Sequence, residues 1–107
     1  MQRVCLKLFM TEAQKHGSEL LYEWLLEKAK KSGIPGGSAF RAIAGYGRHG
    51  RMHEETFFEL AGDLPLEVEF VLSEEQAQAF LDALAAENLH LVYIKTRAEY
   101  GVTGKDS

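Results

Sequence analysis

The chain holds a single cysteine, Cys5. No internal disulfide can form, and no Cys-x-x-Cys metal or redox pair exists. A lone thiol suits a reducing cytoplasm, which is the expected location. No apolar run approaches the roughly 18 residues of a membrane span. The opening MQRVCLKLFM is broken by Lys7 and alternates like a strand, so it does not read as a signal peptide. Positive charge is in deficit, with 12 Lys and Arg against 16 Asp and Glu and a net charge of −4. That balance argues against nucleic acid as a partner, because nonspecific binding of it rests on phosphate neutralisation.

What is present is an ordinary globular composition. Hydrophobic residues make up 46% and charged residues 26% of 107 residues, enough for one domain. Residues 3–10 alternate, with Val4, Leu6, Leu8 and Met10 on one face and Arg3, Cys5, Lys7 and Phe9 on the other, which predicts a strand. Ser18 is expected to cap a helix whose apolar stripe is Leu20, Leu21, Trp24, Leu25 and Ala29. Lys28, Lys30 and Lys31 suit its last turn and Gly33 its C′ position. A strand is expected over 38–46, a flexible loop after it, and a short strand extension at Phe57–Leu60. Leu66, Val68, Phe70 and Leu72 mark another strand. Ser73-Glu74-Glu75-Gln76 is a capping-box pattern opening a helix with Ala77, Phe80, Leu81, Leu84 and Ala85 on one face. Asn88 is expected to end it, and Leu89 to Ile94 to form the last strand.

The order β-α-β-β-α-β is the ferredoxin-like plan: an α+β sandwich with two helices on one face of a four-stranded antiparallel sheet. Residues 1–97 are expected to form this domain and 98–107 a polar tail. Leu91, Val92, Tyr93 and Ile94 place apolar groups on both sides of the last strand, and Cys5 and Phe9 oppose the first strand's other apolar row. A sheet apolar on both faces wants both covered, which predicts self-association over the second face, scattered surface apolar residues being the alternative reading.

The segment from Arg41 to His53 holds Arg41, Arg48, His49, Arg51 and His53 without an acid. Within it, Gly45-Tyr46-Gly47-Arg48 is the best candidate site. Glycines let backbone N–H groups approach an anion, arginines fit phosphate, and Tyr46 can pack on a base or ribose. Solvated arginines on a glycine-rich hairpin are the alternative reading of the same pattern. His49 and His53 are four apart, but Gly47 and Gly50 disfavour the helix that would align them on a metal, so no metal ligand is assigned. Cys5 lacks any sequence hint of a base, and Glu54-Glu55 and Glu74-Glu75 make no acid–base pair, so an enzyme is not expected.

The stretches GIPGGSAFRAIAGYGRHGRMH and DLPLEVEFVLSEEQAQAFLDAL resemble the PII-like proteins of the domain of unknown function 190 family, over roughly residues 2–97. The resemblance implies a homotrimer with a ferredoxin-like fold, binding adenine nucleotides between subunits. It implies that Gly45, Tyr46, Gly47 and Arg48, with His49 next, form the nucleotide-contacting base of a T-loop. The loop, 48–56, would regulate a partner such as a membrane transporter. PII proteins cradle phosphates on a glycine-rich connection before the last strand. Here that connection is Glu87-Asn88-Leu89-His90, which departs from the pattern and points to AMP or ADP rather than ATP. Lys95 and Arg97 stand near where PII proteins carry arginines. A metal-responsive trimer of the copper-tolerance type is the second function implied by the same fold.

Overall fold

A computed structural model describes residues 2–45 and 64–104. The first strand, β1 (Gln2–Thr11), leads into a miniature hairpin of β2 (Lys15–His16) and β3 (Glu19–Leu20), followed by helix α1 (Leu21–Lys31). Strand β4 (Gly37–Arg41), strand β5 (Pro65–Leu72), helix α2 (Glu74–Ala86) and strand β6 (Val92–Glu99) complete the order. The main sheet has four antiparallel strands in the order β4-β5-β1-β6. This is the ferredoxin-like α+β arrangement expected from the sequence.

The two central strands carry the core. Along β1 every second residue is buried (Val4, Leu6, Leu8, Met10), and along β5 the same holds for Leu66, Val68, Phe70 and Leu72. The register sets Leu6 opposite Phe70 and Leu8 opposite Val68. Directly opposed residues of an antiparallel pair point to one side, so the two apolar rows form one surface. Leu21, Leu25 and Ala29 from α1 and Ala77, Phe80 and Leu84 from α2 close over it. Phe80 meets Phe70 edge-on, ring centroids 5.4 Å apart. No polar residue is buried among the described residues.

The ends of the helices explain where the elements stop. Helix α2 starts on a complete capping box: Ser73 Oγ accepts from the Gln76 N–H at 3.0 Å, and Gln76 Oε1 accepts from the Ser73 N–H at 3.1 Å. It ends at Asn88, whose φ of 61° is the left-handed turn favoured there. Helix α1 closes on Gly33 with φ 85°. Its start differs from expectation. Ser18 is not the cap: Gly17 (φ 66°) and Ser18 are the two-residue turn of the β2–β3 hairpin, in which His16 pairs with Glu19. Leu20 is the N-cap residue and offers no side-chain oxygen, so the Leu21 N–H donates instead to the Gln14 carbonyl at 2.8 Å.

Two strand boundaries also differ. The last strand begins at Val92, not Leu89, because the Leu89 N–H closes the end of α2 on the Leu84 carbonyl at 3.0 Å. It runs on through the polar residues to Glu99 because Gln2 to Leu6 of β1 pair with Glu99 to Lys95. Strand β4 ends at Arg41, short of the expected 46. The expected extension at Phe57–Leu60 lies outside the described residues.

At Gly37 two elements approach too closely for a side chain. A Cβ there would sit 2.4 Å from the Phe70 ring and 3.2 Å from Leu26. Phe70 is boxed in by Phe80, so its ring cannot step aside. Gly37→Ala is expected to destabilise the fold by about 1–3 kcal/mol, as overpacking does. Urea denaturation of the variant beside the parent chain measures it.

Candidate functional site

Strands β4 and β5 flank residues 46–63 in the sequence, and the described ends of this pair are tied together at several points. The Ala42 N–H donates to the Pro65 carbonyl at 2.9 Å, and the Glu12 N–H to the Leu64 carbonyl at 2.8 Å. The side chain of Glu12 grips Arg41 with both oxygens; Arg41 Nε donates to Oε1 at 3.0 Å and Nη2 donates to Oε2. Glu12 therefore holds the outgoing arm by its carboxylate and the returning arm by its amide. Arg41, at the start of the basic segment, is thus paired with Glu12.

Gly45 sits at this base beside Pro65 and is exposed. Its backbone is outside the left-handed region, and a Cβ added to it would lie 3.8 Å from Pro65 Cγ, an ordinary contact. Neither turn geometry nor packing within the described chain demands a glycine at 45. The other expected site residues, Tyr46, Gly47, Arg48 and His49, lie outside the described residues, as do the 48–56 loop and His53.

The connection between α2 and β6 reaches the same end of the sheet, since Val92 pairs with Phe9 and Pro65 with Thr11. Its first three backbone donors are spent. The Glu87 N–H donates to the Ala83 and Leu84 carbonyls, Asn88 N–H to Ala85, and Leu89 N–H to Leu84. Glu87 Oε1 lies 3.2 Å from His16 Nε2, and His90 Nε2 lies 3.1 Å from Asn88 Oδ1. The His16 ring in turn meets Trp24 edge-on at 4.4 Å. The miniature hairpin thus braces a connection whose first three N–H groups close the end of α2 instead of facing a phosphate. Sequence reading found the missing glycine there but not the His16–Glu87 brace, because a contact across 71 residues leaves no local pattern.

Lys95 and Arg97 follow on β6, facing the helices opposite Leu6 and Val4. Lys95 is paired with Glu74 at the start of α2. Arg97 forms no ion pair among the described residues, and with Gln2, Ala98 and Glu99 it lines an open concavity of about 490 Å³. This concavity is not at the hairpin base. Arg97 pairs with Val4 and Pro65 with Thr11, so the two places are separated by most of β1, roughly 23 Å at 3.3 Å per residue.

Among the described residues no three His, Cys, Asp or Glu side chains gather as a metal site, and no helix is long and apolar enough to cross a membrane. Cys5 lies mid-strand, half-buried. Burial first, then Glu69, push its thiol above the ordinary range and away from the reactive thiolate.

Comparison with known proteins agrees with this architecture. The profile of the DUF190 family, described as "Uncharacterized ACR", matches residues 3–98. A UPF0166 protein of Aquifex aeolicus is 33% identical over 90 residues, covering 84% of this chain and 86% of that protein. A UPF0166 protein of Methanocaldococcus jannaschii is 34% identical over 79 residues, covering 74% and 72%. Among solved structures, CPII, a nitrogen regulatory PII-like protein from Thiomonas intermedia bound to ADP, AMP and bicarbonate, superposes with a TM-score of 0.65. The identity is 16%, with 94% of this chain and 97% of that chain covered. A putative PII-like signalling protein from Thermus thermophilus gives a TM-score of 0.56 at 21% identity, covering 91% and 85%. At these identities the likeness is one of fold.

The double role of Glu12 is open to test. In Glu12→Ala, the Ala42 amide and the amide at position 12 are expected to exchange with solvent several-fold faster than in the parent. Amides of the β1–β5 ladder, such as Leu6 and Phe70, are expected to keep their protection. Residue-resolved hydrogen exchange reads both.

Proposed function

Because the chain belongs to the DUF190 family, we propose that it is a PII-like regulatory protein, a cytoplasmic homotrimer that binds AMP or ADP in the clefts between subunits. Gly45, Tyr46, Gly47, Arg48 and His49 form the nucleotide contact, and the 48–56 loop carries the signal to a partner, a membrane transporter being the kind of target that fits. It is a binding protein and not an enzyme.

The observation that carries this reading is Gly45. Nothing within the described chain needs a glycine there, and the position heads the Gly-Tyr-Gly-Arg segment on a base tied down by Glu12, Arg41, Ala42 and Pro65. A glycine unexplained by the fold is what the close approach of a ligand to backbone would require. The choice of few phosphates rests on the α2–β6 connection, where the N–H groups of Glu87, Asn88 and Leu89 are already used. Arg97 supports a site shared between copies. It lies too far from Gly45 in its own chain to meet the same nucleotide, so any contact it makes there comes from a neighbouring subunit. CPII, which shares the fold, was solved with ADP and AMP bound.

Thermal unfolding against AMP, ADP, ATP, cyclic AMP and copper, zinc and nickel ions tests the reading. AMP or ADP is expected to raise the melting temperature, reflecting about 2.7 kcal/mol at a hundredfold excess over Kd. Arg48→Ala is expected to abolish the shift. Gly45→Ala is expected to keep the parent's melting temperature without ligand and lose the shift with it. Absence of any nucleotide shift overturns the proposal. A copper shift lost in His49→Ala with His53→Ala would favour the metal-responsive alternative.

A further inference from the structure

The start of β5 gathers residues from separate parts of the chain into one corner. Thr11 stands opposite Pro65, and Arg41 opposite Leu66, the next residue of β5. The Glu12 N–H reaches the Leu64 carbonyl, and Gly45 lies beside Pro65. Glu12, Arg41 and Gly45 are therefore all neighbours of the segment from Leu64 to Leu66.

The ion pair in this corner is open to solvent. Arg41 gives Nε and Nη2 to the two Glu12 oxygens. A guanidinium has five N–H donors, and the other three meet no acceptor among the described residues. The Arg41 side chain is 57% exposed and that of Glu12 27%. Beside the pair, the Ala42 N–H bonds the Pro65 carbonyl and the Glu12 N–H bonds the Leu64 carbonyl, at 2.9 and 2.8 Å. The side-chain pair steadies the corner, and these backbone bonds still join it when the pair opens.

We propose that Arg41 is an anion-binding side chain that Glu12 holds in reserve: a phosphate group arriving beside Gly45 takes the guanidinium from the Glu12 carboxylate. Carboxylate and phosphate present similar pairs of oxygens to the guanidinium fork, so one replaces the other without a new geometry. An ion pair this exposed contributes little to stability, which keeps the cost of the exchange low. An anion beside Gly45 also meets the like charge of Glu12, and it gains by displacing that carboxylate from Arg41.

The exchange has a mechanical result. Glu12 holds the outgoing arm through its carboxylate and the returning arm through its N–H. Loss of the first contact leaves the second in place. Occupancy then frees the end of β4 while β5 stays paired with β1. Ligand and protein share one cation, and the protein yields it only to a negatively charged group.

The inference rests on the nucleotide binding in the proposed function, and the sign of the Glu12 effect tests it. Removing a residue that only steadies a site weakens binding; removing one that competes for the site's cation strengthens it. Calorimetric titration with AMP is run on the parent, Glu12→Gln, Arg41→Gln and the double variant. Glu12→Gln keeps the length of the side chain and the backbone N–H. It is expected to bind AMP about two- to fivefold more tightly, the strength of an exposed ion pair. Arg41→Gln is expected to bind AMP more weakly than the parent. Adding Glu12→Gln to it is expected to bring no gain, because the two residues act through one contact. Adenosine, which has no phosphate, is expected not to distinguish the parent from Glu12→Gln. The exchange is overturned by weaker or unchanged AMP binding in Glu12→Gln, or by undiminished binding in Arg41→Gln. The same gain without Arg41, or the same gain for adenosine, also overturns it. Each of these leaves the nucleotide reading standing, whereas no AMP binding in any of the four chains overturns both.

Discussion

Strands β1 and β5 share a register that fixes everything built on them. With Leu6 opposite Phe70 and Leu8 opposite Val68, the row beneath the helices is wholly apolar. The row on the other side mixes phenylalanine with charge. A slip of one residue would exchange a strand's faces, bringing Lys7, or Glu67 and Glu69, under α1 and α2 and turning leucines out to solvent. Burial of the helix-side row holds the sheet in one register, and the register then determines where Arg41, Gly45 and Arg97 stand.

The same alternation explains what the sequence made legible. Val4 to Met10 and Leu66 to Leu72 repeat with period two, and Ser73 with Gln76 is a local hydrogen-bonding pattern, so these elements could be read from neighbouring letters. Ser18 misled because a serine before an apolar stripe fits a helix cap and a hairpin turn equally. Pairing of His16 with Glu19 decides between them, and it costs α1 a side-chain cap that Gln14 makes good through its carbonyl. The end of β6 was hidden for a related reason. Lys95 to Glu99 look like a tail, and only pairing with the start of β1 makes them a strand. Of the candidate site, Gly45 was visible in the sequence but the tie through Glu12 was not, because that residue stands 29 positions from Arg41.

Glu12 and the His16–Glu87 brace have a shared consequence. Both reach from the segment after β1 to the end of the sheet where β5 begins and β6 begins. The turn after β1 fixes the base of the 46–63 segment, and the miniature hairpin fixes the α2–β6 connection. Each contact is modest taken alone, since partly exposed ion pairs contribute little to stability. Their effect is positional: the paired ends of β4 and β5 and the α2–β6 connection are both referred to the central strand.

That arrangement limits what the end of the sheet can bind. A backbone cradle for a triphosphate needs a run of free N–H groups, and those of Glu87, Asn88 and Leu89 point into the end of α2. The cationic side chains near the site are also partly spent, Arg41 on Glu12 and Lys95 on Glu74. Among the described residues Arg97 remains, placed by the register at the opposite end of its own strand. One chain cannot bring Arg97 to Gly45, because the length of β1 lies between them. A threefold set of chains can supply from one copy what another lacks, and the apolar residues on the sheet face turned from the helices give copies a reason to meet. In the proposed trimer, assembly and ligand contact would be two uses of one sheet, with the register of β1 and β5 deciding both.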